Sequence, residues 1–225
     1  MVLAALIVVS SGISARAQSS TQVWPEISAF TKLNDRMRFY FLATTVKESQ
    51  ESTEGEFGPN FDFYLRPLRN PRPFGGFLLD ESKNRLLLLR VGYRYLHSFG
   101  DDPDEHRTVL EATARYPLVA GVLVSYRNRI DLRFVDGKDS WRFRSRLSVE
   151  KEFSVGRVRV NPYARGEVYY DSRFDKWSRV EWMAGSAFPL NRRVELEDYF
   201  VYQNDSGGAQ NRQVYALGAV LNLYF

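Results

Sequence analysis

Arginine recurs at alternate positions along three consecutive stretches: Arg127, Arg129 and Arg133, then Arg142, Arg144 and Arg146, then Arg157, Arg159 and Arg165. Arg90 and Arg94 hold the same phase in an earlier stretch. A guanidinium carries five N–H donors in a flat fork, which suits it to buried carboxylate pairing or to the capture of small anions. Carboxylates share this phase at Glu111, Asp131, Glu150, Glu167, Glu181 and Glu195. Two chemistries follow. One is a salt-bridged lattice built on pairs such as Arg127/Asp131, Arg144/Glu150 and Arg165/Glu167. The other is an anion-attracting field, because the phase holds roughly fifteen arginines against about eight carboxylates.

The remaining reactive side chains form no recognisable catalytic set. The two histidines, His97 and His106, flank the acidic stretch Phe99–Glu105, and Ser98 adjoins the first. Neighbours in an extended strand point to opposite faces, so Ser98 and His97 do not make a nucleophile–base pair. Asp101, Asp102, Asp104 and Glu105 supply the oxygen ligands that calcium takes, without the spacing of a recognised calcium loop. The expected state is a solvated loop, bridged at most by cations to lipopolysaccharide phosphates. The chain has no cysteine, which excludes a thiol nucleophile or a thiolate metal site. Neither a cofactor nor catalysis is expected, and a lipid-modifying hydrolase is the remote alternative.

These residues must be positioned by strands. The stretch Gln213–Phe225 sets Tyr215, Leu217, Ala219, Leu221, Leu223 and Phe225 against Ala216, Gly218 and Asn222, a period of two. The same alternation runs through 22–30, 37–46, 61–68, 85–95, 107–115, 122–134, 141–150, 158–168, 179–188 and 193–202. Residues 47–60 read as a polar loop, and 70–76 break regular structure. Asp198 falls on the apolar phase, which a bulge or loop end would explain. Residues 1–17 form a short apolar run closing on Ala15-Arg16-Ala17, the pattern of a cleaved secretory signal, although no basic residue precedes it. Residues 18–225 then make one domain.

Of the 31 basic residues only Lys32, Lys47, Lys83, Lys138, Lys151 and Lys176 are lysine. The arginines alternate along strands instead of clustering on a helix, so nucleic acid is not an expected partner despite a net charge of +4. The dense rows of Arg and Glu opposite a branched, aromatic-tipped face fit a transmembrane, antiparallel up-and-down β-barrel better than a soluble sandwich. About eleven strands can be read. Because bacterial barrels have even counts, twelve are expected, with ten the alternative and the hidden strand placed in 61–84. With the C-terminus in the periplasm, the longer connections fall at the opposite mouth. Tyr95, Phe134, Trp141, Phe143, Tyr170, Trp177 and Tyr202 then gather there as an aromatic girdle.

The segments Gln22-Val23-Trp24, Lys32–Arg36, Gly92–Tyr95, Arg127–Arg133, Tyr163 with Glu167–Asp171, and the Leu-Asn-Leu-Tyr-Phe end resemble an uncharacterised family of Gram-negative outer-membrane proteins, a domain-of-unknown-function family. The resemblance covers nearly the whole mature chain. It implies an outer-membrane barrel and no established activity. The expected partners are outer-membrane lipid and lipopolysaccharide, the barrel-assembly machinery through the strand ending at Phe225, and small anionic solutes. The expected state is a monomer. The functional expectation is a narrow, anion-leaning channel, with a structural or ligand-binding barrel as the alternative.

Overall fold

The computed structural model describes residues 18–47, 53–68, 79–156, 158–207 and 211–225. The expected signal segment, residues 1–17, and Arg157 lie outside the described residues. Twelve strands form in chain order: β1 (Gln18–Asn34), β2 (Met37–Lys47), β3 (Thr53–Pro67), β4 (Arg85–Ser98), β5 (Glu105–Pro117), β6 (Val122–Val135), β7 (Lys138–Lys151), β8 (Phe153–Val155), β9 (Val158–Asp171), β10 (Lys176–Pro189), β11 (Val194–Asp205) and β12 (Arg212–Tyr224). Each wall strand pairs with its neighbours in sequence, β7 passing directly to β9, and β12 closes on β1. The three-residue β8 pairs only with the start of β9 and lies outside the wall. The fold is a closed β-barrel of eleven wall strands, near the expected twelve. None of the described residues forms a helix long and apolar enough to cross a membrane, which says nothing of crossing by strands.

The odd wall count determines how the barrel closes. Strands that alternate in direction leave the first and eleventh running the same way, so β1 and β12 meet in parallel, from Gln18 opposite Arg212 to Phe30 opposite Tyr224. One pair of an otherwise antiparallel wall therefore departs from the expected up-and-down pattern. The last residue is held by its backbone: the Phe225 N–H donates to the Phe30 carbonyl at 2.8 Å, and the Lys32 N–H donates to the Phe225 carbonyl at 3.2 Å.

The additional strand length lies in β3, which begins at Thr53 inside the stretch read as a loop. Gly55, Gly58 and Pro59 made that stretch look broken. Gly58 is needed there because a Cβ would stand 2.0 Å from the Tyr93 carbonyl oxygen. Pairing with β4 skips from Phe57/Tyr95 to Asn60/Gly92 around it. A second correction concerns the connections. The ends that flank the longest, Pro67 and Arg85, lie at the mouth that carries Phe225, not at the opposite one. A third concerns Asp198: the β11 register with β10 and β12 is unbroken, so this carboxylate stands exposed on the outer face between Leu196 and Phe200 without a bulge.

The aromatic residues expected to gather at the far mouth do meet there. Trp141 stacks on Tyr170 at 5.4 Å, Trp177 meets Tyr170 edge-on at 5.7 Å, and Tyr202 lies 5.4 Å from Tyr215. Inside the wall, small residues on β12 make room for large ones on the neighbouring strands. Trp24, Val201, Val214 and Ala216 form the buried apolar cluster, with Met183 and Tyr199 against it. Tyr199 lies directly across from Gly218, whose Cβ would fall 2.0 Å from the ring. Adding that atom overpacks the seam. Gly218→Ala is expected to cost about 1–3 kcal/mol, read as a lowered urea midpoint of the refolded barrel. Tyr199→Ala in the same chain is expected to remove most of the added cost, and independent effects of the two changes would contradict this packing account.

Candidate functional site: the lumenal ion-pair lattice

Strand alternation sends one face of every wall strand inward, and that face is ionic. Glu167 on β9 is the centre of the arrangement. It stands directly across from Arg146 on β7, which stands across from Arg127 on β6. Cross-strand neighbours lie about 5 Å apart at their Cβ atoms, so long guanidinium arms from two strands reach one carboxylate. Glu167 accepts from Arg127 at 2.7 Å, Arg144 at 3.0 Å and Arg146 at 2.5 Å. Tyr169 Oη adds a fourth donor at 3.1 Å. Asp131 pairs with Arg129 at 2.5 Å and more loosely with Arg144 at 3.9 Å.

The same physics corrects the expected pairs. Residues four apart on one strand are separated by about 13 Å, too far for Arg127 to meet Asp131. Arg144 reaches Glu167 and not Glu150, which is held instead by Lys83 at 2.7 Å. Arg165 turns from Glu167 to Glu197 on β11, at 3.3 Å. Arg90 pairs with Asp62 at 2.6 Å, and Arg94 with Glu56 at 3.0 Å. Arg133 and Arg142 serve the far mouth. Arg133 binds Glu105 in a double hydrogen bond, and Arg142 lies 2.9 Å from Asp171. Arg159 sits in the β8–β9 hairpin at the C-terminal mouth, opposite Ser154.

The expected surplus of positive charge is largely cancelled. Glu26, Glu56, Asp62, Asp80, Glu105, Asp171, Glu197 and Asp205 also face inward, alongside Glu111, Glu181 and Glu195. Several of these come from segments read as loops or strand ends, where no phase could be assigned. Asp62, with its side chain wholly buried, takes both Arg38 and Arg90 at 2.6 Å.

A short turn, Glu81–Asn84, is held inside the C-terminal mouth by side chains from three strands. Asp80 caps it by accepting from the Ser82 N–H at 3.0 Å and pairs with Arg38 at 2.6 Å. Arg115 donates to the Ser82 carbonyl at 2.9 Å, and Lys83 is clasped by Glu150. Behind the turn lies a cavity of about 410 Å³, lined from β1 round to β12.

The acidic loop at the far mouth gathers no metal site. Asp104 accepts from Tyr95 Oη, pairs with His97 Nδ1 at 2.9 Å and accepts from the Ser98 N–H at 3.1 Å. The hydrogen bonds from Tyr95 and His97 hold its carboxyl below the usual range. Glu105 turns inward to Arg107 and Arg133, while Asp101 and Asp102 stay exposed. Among the described residues no three acidic or histidine side chains converge on a metal position. His97 and Ser98 face opposite sides, and His106 lies outside, 2.5 Å from Tyr93 Oη.

Removing the central carboxylate leaves three buried guanidinium groups without their shared partner, which costs about 3–5 kcal/mol where one member of a buried pair is lost. Glu167→Ala is therefore expected to lower the urea midpoint far more than Asp104→Ala. Equal, small effects would show that the lattice contributes little to stability.

A family described as "Protein of unknown function (DUF2490)" matches residues 21–214. No curated protein and no solved structure matches the chain.

Proposed function

The chain belongs to the DUF2490 family, and from that premise we propose that it is an outer-membrane β-barrel of a Gram-negative bacterium whose lumen is a closed polar chamber for small charged solutes. The observation that carries this reading is the inverted burial. Val23, Trp182 and Leu217 are 71%, 60% and 59% exposed on the outer wall, while Asp62 and Asp131 are wholly buried inside it. Water does not favour that distribution, but a bilayer does, because it solvates the outer face and leaves ions to the lumen.

In this reading lipid and lipopolysaccharide surround the apolar belt, and the assembly machinery recognises the strand ending at Phe225. The protein acts as a monomer without catalysis. The chamber is favoured over an open pore because ion pairs between neighbouring strands line the lumen densely and the Asp80–Lys83 turn reaches from Arg38 to Glu150 at one mouth. The basic wall of β4 to β7 favours a second reading, the narrow anion-leaning channel.

Planar-bilayer recording separates the two. The wild-type barrel is expected to show no steady current, and Asp80→Ala with Lys83→Ala, which frees the turn from Arg38 and Glu150, is expected to produce openings. A steady anion-selective current from the wild type would decide for the channel. Recovery of the chain in inner membranes or the periplasm after cell fractionation would contradict the location.

A further inference from the structure

The chamber has two electrical poles. Arg127, Arg129, Arg144 and Arg146 crowd one wall, and Glu26 stands on the other beside Glu197, which pairs with Arg165. The basic pole has donors to spare: Arg127 Nε and Arg129 Nη2 are buried and make no hydrogen bond. Of the carboxylates beside them, Glu111 lies 3.5 Å from Arg127, and Asp131, paired with Arg129 at 2.5 Å, keeps its second oxygen 3.9 Å from Arg144. Glu26 is the complement. It accepts from Ser28 Oγ at 2.7 Å and forms no ion pair among the described residues. Its charged neighbours are Glu197, Glu56 and Arg94, so two of the three repel it.

Strand register sets these poles at one height. From Glu26 the paired row runs through Thr44, Glu56, Leu96 and Glu105 to Val135, the last residue of β6. The other way it runs through Val220, Glu197 and Ala187 to Asn161, two residues past the Glu150/Tyr163 pair. That point corresponds to the residue just before Val122, where β6 begins. A hydrogen-bonded row climbs as it goes round a tilted barrel, so the level of Glu26 on the far wall is the midpoint of the two arrivals. The midpoint is Asn128, flanked by the inward-facing Arg127 and Arg129. Glu26 therefore stands across the lumen from the unpartnered guanidinium donors.

We propose that the chamber binds a small zwitterion, its carboxylate at Arg127 and Arg129 and its ammonium at Glu26. This deepens the chamber reading and rests on it. A simple anion would satisfy the arginines and leave Glu26 beside its acidic neighbours. A ligand carrying both charges relieves both poles. The volume of about 410 Å³ lies within the range of small-molecule sites.

The test is calorimetry on the refolded barrel in detergent, using glycine, γ-aminobutyrate and 6-aminohexanoate, with butyrate and butylammonium as single-charge probes. One of the zwitterions is expected to bind at least tenfold more tightly than either single-charge probe, with a clear optimum in chain length. Glu26→Gln is expected to weaken that zwitterion at least tenfold and leave butyrate unchanged, whereas Arg127→Lys weakens both. Butyrate binding as tightly as the zwitterions, or no probe binding at all, would overturn the proposal. If Glu26→Gln does not fold, the wild-type probe series decides alone. Because binding is read in detergent, the result is independent of conductance and location, so this inference and the membrane reading can fail separately.

Discussion

A narrow barrel wall built on alternation obliges half of its side chains to share a small interior, and here that half is ionic. Every buried guanidinium must find a carboxylate or leave a charge uncompensated in a poorly solvating space. Along one strand the same-face spacing is about 7 Å, and across strands it is about 5 Å. The partners are therefore found sideways, and the lattice ties β6, β7 and β9 together through Glu167. Since Asp62, Glu105, Asp131 and Glu167 each serve arginines from more than one strand, the lattice also specifies which strand lies beside which, at which register. A slip by one residue would turn the ions outward and the leucines inward.

The same wall has a weaker region where apolar packing replaces ion pairing. Around the closing pair β1 and β12, Ala216 and Gly218 leave space that Trp24 and Tyr199 fill. An eleven-strand wall has to accept one parallel pair, with its slanted and slightly less stable hydrogen bonds. Backbone bonds from Phe225 to Phe30 and Lys32 secure its end. Close contact of large rings with small residues supplies complementarity at the one place where the ladder changes type.

The distribution of charge round the wall bears both on stability and on the proposed ligand site. Where carboxylates and guanidiniums alternate across neighbouring strands, they cancel. The turn from Asp80 to Lys83 is held at the mouth by the same ion pairing, so placement of the turn and cohesion of the wall rest on one kind of interaction.

Much of this was legible in the sequence. Period-two alternation assigned the strand faces, because side-chain direction in a strand depends only on local backbone geometry. The aromatic girdle and the opposite facing of His97 and Ser98 were readable for the same reason. What the sequence could not decide was everything that depends on neighbours across the sheet. The three expected ion pairs followed chain order, whereas contact follows register. The surplus of arginine was counted without carboxylates from segments of uncertain phase, such as Glu56 and Asp80. The start of β3 hid behind Gly55, Gly58 and Pro59, of which Gly58 admits the Tyr93 carbonyl. Most of all, the parallel seam, the cap and the facing of Glu26 to Arg127 arise only when the wall closes, since closure brings together residues that no local pattern relates.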